Sequence, residues 1–271
     1  MPSAGLQYEL TTAAMTYFSY RRGFKAGGFN GLDPLNQAQK AGNIAYGPEY
    51  VNSYEIGLKS KWWDNRLLMN IDVFRSDYQD LQVTENVFHP ATNSYSAPVT
   101  NVAASRSQGV EFETQWALWR EFHFGANVTY LDAYYVSYPN ASPTYLQRFQ
   151  GLQVQNLSGR PTDFAPKWSG SVYADYSVPL GNYIFTAQAA PFFSSGYFNS
   201  VGTDDPLTYI DSYVRLDARL TLATSDGRWA FDVIGKNLTD RTIVTSLNNP
   251  VAVNSTKEQL RNVAAQFRYH F

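Results

Sequence analysis

Apolar and polar residues alternate along most of this chain, in segments of about ten residues divided by turn residues. In one segment Val110, Phe112 and Trp116 fall on one face of an extended strand. The intervening Glu111 and Glu113 fall on the other face, because successive side chains of a strand point to opposite sides. This pattern is typical of strands that cross a membrane as part of a β-barrel. It recurs in segments that begin at Tyr54, Phe122, Trp168, Tyr183 and Tyr213.

Two segments interrupt the alternation. The segment that begins at Leu67 keeps it only through Val73, after which Arg75 and Asp77 take the apolar side. This predicts either a β-bulge or a strand that continues beyond the membrane. Because proline lacks a backbone N–H, Pro191 is expected to mark the end of regular pairing in its segment.

The connections between segments alternate in length, as in outer-membrane barrels with short periplasmic turns and long extracellular loops. Counted this way, the chain has about eleven strands. Bacterial single-chain barrels have even numbers of strands, so we expect partner strands outside this sequence. The short connections lie near residues 12, 64, 120, 181 and 226, and the long ones cover about 26–50, 84–107, 137–165, 199–209 and 238–258.

Tryptophan placement agrees with this interpretation, since amphipathic aromatic rings collect at membrane interfaces. Five tryptophans lie beside short turns, which predicts an aromatic girdle on the periplasmic side. Tryptophan near a turn also occurs at the edges of soluble β-sandwiches, so this feature alone does not decide the class. The residues are Trp62, Trp63, Trp116, Trp119 and Trp229.

Composition excludes several other classes. Only 16% of residues are charged and no apolar run approaches the ~20 residues of a spanning helix. The net charge of −2, without a basic stripe, argues against nucleic acid as a partner. The chain has no Cys, and His89, His123 and His270 are not spaced as zinc ligands. No motif predicts a catalytic residue, a metal or a cofactor, so we do not expect an enzyme.

Four stretches resemble TonB-dependent outer-membrane receptors. They are residues 20–30 (YRRGFKAGGFN), 50–59 (YVNSYEIGLK), 77–83 (DYQDLQV) with 109–113 (GVEFE), and 235–241 (GKNLTDR). Their order matches the last half of such receptors, and the resemblance covers nearly the whole chain.

The resemblance implies an all-β fold in which residues 1–271 form the C-terminal part of a barrel, with about 11 of about 22 strands. It implies a Gram-negative outer-membrane location and uptake of a scarce ligand, most often a ferric siderophore, energised through TonB. TonB acts on a plug domain, which we expect to lie outside this sequence together with the signal peptide. Membrane lipid and the barrel assembly machinery are the other implied partners.

The C-terminus resembles the β-signal that the barrel assembly machinery recognises in outer-membrane proteins. Alternate residues of the last segment are apolar or aromatic, and the chain ends on phenylalanine. A terminal aromatic residue after an ordinary strand is the alternative explanation. The residues are Val263, Ala265, Phe267, Tyr269 and Phe271.

The longest connection, residues 137–165, is the best candidate for ligand capture. Its aromatic side chains offer flat surfaces to a siderophore or a sugar, and its arginines offer charge to an anionic chelate. The alternative is a surface loop whose tyrosines pack on one another. The candidate contacts are Tyr134, Tyr135, Tyr138, Tyr145, Arg148, Phe149 and Arg160.

Two other classes compete with a gated importer: a passive diffusion porin and a soluble all-β binding module. A porin shares the alternation and the terminal Phe271 but lacks the sequence GFKAGGFN at residues 23–30. A soluble sandwich would need charged residues on the outer faces of its strands, where this chain has apolar ones.

Overall fold

A single antiparallel sheet dominates the structure, in which each of eleven strands pairs with the next one along the chain. This order is that of an up-and-down barrel wall, and the predicted number of strands is confirmed. The structure is a computed structural model, and it describes residues 1–31, 44–85, 87–89, 94–199, 204–248, 254–257 and 260–271.

We label the strands of this sheet in chain order. They are β1 (Ser3–Thr11), β2 (Ala14–Lys25), β3 (Glu49–Trp62), β4 (Leu67–Thr84), β5 (Val99–Trp119), β6 (Phe122–Ser137), β7 (Trp168–Leu180), β8 (Tyr183–Ser194), β9 (Tyr213–Thr224), β10 (Trp229–Lys236) and β11 (Asn262–Tyr269).

The long connections contain short elements of their own. Helix α1 (Tyr145–Phe149) lies between β6 and β7, and a 3-10 turn (Pro206–Thr208) lies between β8 and β9. No helix within the described ranges is both long and apolar enough to cross a membrane. In the part of the chain that the structure describes, four two-stranded hairpins pair Gly28–Phe29 with Ala45–Tyr46, Val87–His89 with Ser94–Ser96, Tyr197–Phe198 with Tyr209–Ile210, and Val244–Asn248 with Asn254–Lys257.

Cross-strand register keeps the apolar side chains on one face of the whole sheet. Phe112 on β5 lies opposite Ile71 on β4 and Val128 on β6. Towards the other end of the sheet, Leu220 on β9 lies opposite Val233 on β10. Directly opposed residues of antiparallel strands point to the same side, so the alternation predicted for single strands adds up to one apolar surface.

This apolar surface is open rather than packed. Ile56 is 55% exposed and Val73 is 49% exposed, and no second layer covers them within the described residues. A continuous exposed apolar face of this kind marks contact with a membrane or a partner. We call it the outward face, and the opposite side of the sheet the inner face.

A row of polar residues ends the outward face at the side of the long connections. Arg75 on β4 lies opposite Gln108 on β5, and Asp77 lies opposite Arg106. Asp77 accepts hydrogen bonds from Arg75 Nε at 2.9 Å and from Arg106 Nε at 2.6 Å. Polar pairs of this kind belong outside hydrocarbon, so the membrane boundary lies just before Arg75.

The structure decides between the two explanations for the break in the β4 pattern. The register between β4 and β5 is unbroken from Leu67 to Tyr78, and it shifts between Tyr78 and Leu81 and again between Leu81 and Gln82. Asp80, with a positive φ of 54°, lies in that irregularity. Arg75 and Asp77 therefore precede the bulge, and they face outward because the strand has left the membrane.

Two predicted element boundaries are wrong. Strand β8 does not end at Pro191 but runs to Ser194, and Pro191 lies opposite Leu216 of β9. On its other side, the pairing of β8 with β7 is interrupted beside Pro191 and then resumes in the same register. Strand β5 begins at Val99, inside the region expected to form a loop. Above the membrane both faces of a strand can be polar, so alternation no longer marks its extent there.

Aromatic rings line the end of the sheet where the short turns lie. The rings of Trp63 and Trp116 are 5.8 Å apart between centroids, and those of Tyr183 and Trp229 are 5.6 Å apart. Their position opposite the polar row is the one expected of an interfacial girdle, with the apolar zone between the two.

Phe112 tests which face contacts lipid, because it lies midway along β5 between Gln108 at the polar row and Trp116 at the aromatic end. Phe112→Arg should destabilise the complete receptor in lipid vesicles by about 2–4 kcal/mol, the cost of Arg near the bilayer midplane. Chemical denaturation monitored by tryptophan fluorescence would measure this free energy. Asn127→Arg on the inner face is the control and should cost little. Equal costs at the two positions would contradict the assignment of faces.

Candidate functional site

The connection between β6 and β7 folds back onto the sheet around a small apolar core. Tyr138 is 1% exposed at its centre, packed with the ends of β4 and β5. Tyr135 lies opposite Ser105 of β5, and the side chains at both positions point to the inner face of the sheet. The loop therefore leans over the interior of the wall, above the membrane zone. The core residues are Val83, Ala103, Tyr135, Tyr138, Ala141 and Leu157.

Two phenols and two carboxyls meet at the base of this loop. Tyr135 donates its hydroxyl to Asp163 Oδ2 at 3.1 Å, and its ring lies 5.1 Å from that of Tyr138. Burial, with added repulsion from Asp163 beside Tyr135 and Glu85 beside Tyr138, raises the pKa of both phenols well above the usual value. Both hydroxyls therefore stay protonated and can act as donors but not as anionic ligands.

The predicted ligand contacts separate into buried and exposed groups. Tyr135 and Tyr138 lie in the loop core and pack on each other, as the alternative sequence interpretation described. Tyr134 lies at the edge of the loop, where its hydroxyl accepts a hydrogen bond from Arg106 Nη1 at 3.2 Å. These tyrosines frame the loop, and its open surface is formed by other residues.

Helix α1 forms because its N-terminus is capped on both sides. The Thr144 side chain accepts from Gln147 N, and the Gln147 side chain accepts from Thr144 N at 2.8 Å. Arg148 in its last turn donates Nε to Pro143 O at 3.2 Å. The Thr-x-x-Gln spacing in the sequence could have revealed this helix. The side chain of Tyr145 lies outside the described residues.

The helix and the residues after it present an apolar tip, of which the sequence analysis named Phe149 alone. Phe149 is 74% exposed. The sequence signal for the other three residues was a cluster of aliphatic residues within a connection considered only for its aromatic and arginine side chains. We define the apolar tip as Leu146, Phe149, Leu152 and Val154, all of which are exposed.

An ion pair joins this loop to the connection between β8 and β9. Arg160 Nε lies 3.2 Å from Asp204 Oδ2, with the Arg160 side chain mostly exposed. The backbone adds a second link, since Phe164 N donates to Phe198 O at 2.8 Å. Two long connections are therefore held together, although parts of the connections at 26–50, 84–107, 199–209 and 238–258 lie outside the described residues.

The inner face of β3–β5 carries an acidic patch. Asp72 lies directly opposite Glu111, and Tyr17 donates its hydroxyl to Glu55 Oε1 at 2.6 Å. Among the residues that the structure describes, no Lys or Arg forms an ion pair with this patch. We define the lumenal acidic patch as Glu55, Asp72, Glu111 and Glu113.

Charges on the inner face of β9–β11 are instead paired within the wall. Asp232 is fully buried and lies 2.8 Å from Arg219 and 3.0 Å from Arg268. Thr221 also donates to Asp232 at 2.6 Å. No group of three or more His, Cys, Asp or Glu side chains is arranged to hold a metal within the described ranges.

A meander of antiparallel strands with an apolar outward face, a polar inner face and an aromatic girdle defines the wall of a transmembrane β-barrel. The family model described as TonB dependent receptor-like, beta-barrel matches residues 1–249, and the chain belongs to that family. It is therefore part of a β-barrel of the Gram-negative outer membrane.

Relatives of known name agree with this membership. A probable TonB-dependent siderophore receptor, PiuA, of Acinetobacter baumannii is 25% identical over 220 residues, which cover 79% of this chain and 26% of PiuA. An uncharacterized TonB-dependent receptor of Haemophilus influenzae is 23% identical over 97% of this chain and 71% of that protein.

Among solved structures, the ferric yersiniabactin uptake receptor FyuA of Yersinia pestis superimposes with a TM-score of 0.73 at 17% identity. The match covers 99% of this chain and 37% of FyuA. This likeness shows the fold. The chain spans about a quarter of PiuA and just over a third of FyuA.

Closure of the loop over its core is expected to depend on pH through Glu85, whose carboxyl acts on the Tyr138 phenol of that core. Burial raises the pKa of this carboxyl above its usual value, so the closed loop binds the proton more tightly than the open loop. Closed-loop stability should therefore be greatest below the usual carboxyl pKa of about 4.3 and fall as pH rises through the raised value. Glu85→Gln should stabilise the closed loop at neutral pH and abolish this dependence.

Hydrogen exchange of the loop amides checks this expectation, after correction for intrinsic rates. The amides of Ala141, Leu157 and Gly159 report on closure, since each donates to a backbone carbonyl within the folded loop. Glu121→Gln at the other end of the sheet serves as the control. An equal pH response in wild type and Glu85→Gln would show that another group is responsible.

Proposed function

We propose that residues 1–271 form part of the barrel of a receptor that takes up a ferric siderophore across the outer membrane. The observation that carries the proposal is the family match over residues 1–249. The name of PiuA as a siderophore receptor supports the choice of ligand. The chain supplies wall and extracellular surface, and we assign no catalytic step to it.

Ligand capture is assigned to the outer part of the loop between β6 and β7. The exposed ring of Phe149, with the rest of the apolar tip, offers contacts to the organic part of a siderophore. Arg148, Arg160 and Tyr145 are the accompanying polar candidates, and a guanidinium suits an anionic chelate. Tyr134, Tyr135 and Tyr138 contribute by holding this surface in place over the interior of the wall.

Energy coupling is assigned to a plug domain inside the barrel, on which TonB acts. The lumenal acidic patch supports this part of the proposal. Like charges directly opposite each other, such as Asp72 and Glu111, destabilise a sheet unless something compensates them. Cationic groups of a body that fills the lumen would supply that compensation.

The last strand is assigned to assembly. Val263, Ala265, Phe267 and Tyr269 all point to the outward face, opposite Gly235, Val233, Phe231 and Trp229. Together with Phe271 they form an apolar row that the barrel assembly machinery can recognise before the strand is inserted and lipid covers it. In the finished barrel, the outward face contacts outer-membrane lipid.

Uptake of labelled iron by cells that express the complete receptor tests the function. Catecholate, hydroxamate and phenolate siderophores should be compared, because the chain does not specify the chelate. We expect saturable uptake of at least one chelate that stops when the proton gradient is dissipated. Uptake that is proportional to concentration and insensitive to a protonophore would instead indicate a diffusion porin.

Phe149→Ala tests the capture surface. If the ring is a buried anchor in the complex, its loss should weaken binding of the transported chelate by about 1–3 kcal/mol, or roughly 5- to 150-fold in Kd. Fluorescence quenching or calorimetry on the complete receptor would give the Kd. Leu207→Ala, an exposed apolar residue of the β8–β9 connection, is the matched control. Unchanged affinity in Phe149→Ala, with normal insertion in the outer membrane, would move the site elsewhere.

A further inference from the structure

A cavity of about 370 Å³ lies under the loop between β6 and β7. One of its walls consists of two neighbouring rows of the sheet, in which Ser107 lies opposite Ala133 and Ser105 lies opposite Tyr135. All four side chains point to the inner face, as that of Glu111 does further along β5. Residues 162–165, where the loop returns to the sheet, form the facing wall. We call this cavity the vestibule pocket.

The vestibule pocket lies just above the membrane zone and inside the barrel wall. Its two serines flank Arg106 on β5, and Arg106 belongs to the polar row that ends the outward face. The pocket can therefore be reached from the lumen but not from lipid. Its volume is at the small end of the range for ligand pockets, about 300–1,000 Å³, and suits one substituent of a ligand rather than a whole ferric chelate.

Hydroxyl groups and one carboxylate give the vestibule pocket its chemistry. Oδ2 of Asp163 accepts the hydroxyl of Tyr135 at 3.1 Å, which holds the carboxylate at the pocket wall. A carboxylate has about four acceptor positions, and this hydrogen bond uses one of them. Asp163 can therefore also accept from a donor on a ligand. The hydroxyl-bearing residues that line the pocket are Tyr78, Ser105, Ser107, Tyr135 and Thr162.

The inner face around the pocket favours positive charge. Within residues 68–78 of β4, 103–115 of β5 and 123–135 of β6, no side chain that points inward is Lys or Arg. Arg106 also lines the pocket, but its guanidinium binds Asp77 and the Tyr134 hydroxyl on the outward side. Further down β5, the same strip of inner face continues into the lumenal acidic patch at Glu111. A cationic group is attracted to such a surface, and an anionic group is repelled.

Basic side chains of the inner face lie instead on β9–β11. The guanidinium of Arg215 lies 5.6 Å from the ring centroid of Phe192, and Arg219 and Arg268 surround Asp232. The two regions of the wall thus differ in the sign of the charge that they attract. A ligand with an anionic centre and one cationic arm would be oriented between them, with the arm towards β4–β6.

We propose that the vestibule pocket binds a protonated amine substituent of the transported ligand, with Asp163 as its counter-ion. The ammonium group donates charge-assisted hydrogen bonds to Asp163, and the carbon chain behind it packs on Leu131, Ala133 and Ala165. The assignment to cargo rests on the proposed function, whereas the preference of the pocket for an amine does not. It narrows the cargo to ferric chelates with a free amine.

Fluorine NMR on the complete receptor in detergent tests the preference for an amine. The probes are para-trifluoromethylbenzylammonium, the matching benzyl alcohol and the matching benzoate, which share a ring and differ in charge. The ammonium probe should bind at least about tenfold more tightly than the alcohol, as expected for a charge-assisted hydrogen bond, and the benzoate should bind most weakly. Equal affinity for ammonium and alcohol would overturn the proposal.

Matched variants locate the site. Asp163→Asn should raise the Kd of the ammonium probe about tenfold and leave that of the alcohol almost unchanged. Asp132→Asn is the control, because it makes the same chemical change on the outward face of β6, where Asp132 accepts from Gln108 at 3.0 Å. Ala133→Leu, in the strand rather than the loop, should fill the pocket and weaken both probes.

Heat-modifiable gel mobility establishes that each variant is folded. The proposal stands if only folded variants of the pocket lose the ammonium probe. It fails if Asp163→Asn and Ala133→Leu bind the probe as wild type does, or if Asp132→Asn loses it to the same extent.

Competition decides whether the cargo uses the pocket. The chelate that the uptake experiment identifies should displace the ammonium probe, and acetylation of its amine should weaken its binding about tenfold in wild type but not in Asp163→Asn. A chelate that binds without displacing the probe would overturn the assignment to cargo. If no chelate is transported, the proposed function fails, while the probe measurements still decide the chemistry of the pocket.

Discussion

Backbone hydrogen bonding in hydrocarbon is the constraint on which this structure depends, because a polar group left unpaired in a membrane costs several kcal/mol. The wall satisfies this constraint as a continuous meander, in which each interior strand forms backbone hydrogen bonds with a neighbour on both sides. Even Pro191, which has no N–H to donate, is carried within β8 without a change of register towards either neighbour. With pairing fixed, side-chain parity is fixed as well, and one face of the sheet becomes apolar throughout.

Charge on the inner face is managed in two ways. At Asp232, donors from β9 and β11 surround a single buried carboxylate, so the wall compensates its own charge and ties its last strands together. The lumenal acidic patch on β3–β5 accepts hydrogen bonds from Tyr17 and Asn70, but no Arg or Lys forms an ion pair with it among the described residues. A wall that neutralises one region and leaves another charged offers an oriented contact surface to whatever occupies its interior.

The extracellular side shows how a loop can be both fixed and open. Tyr135 and Tyr138 are buried in a small core, which positions the loop over the interior of the wall. Phe149 and its apolar neighbours are left uncovered on the same loop. Aromatic residues in a capture loop thus have two separate tasks, frame and contact surface, and burial decides which residue performs which task.

Sequence alone determined the strands, their number and their outward faces, because the direction of each side chain in an extended segment depends only on its position along that segment. The outward position of Phe112 follows from this rule, and so do the tryptophans at the short turns. Tertiary structure alone decided that Arg75 and Asp77 lie above the membrane, that Tyr138 is buried, and that Arg160 meets Asp204. These outcomes depend on residues brought together from distant parts of the chain, and periodicity within a segment carries no information about such contacts.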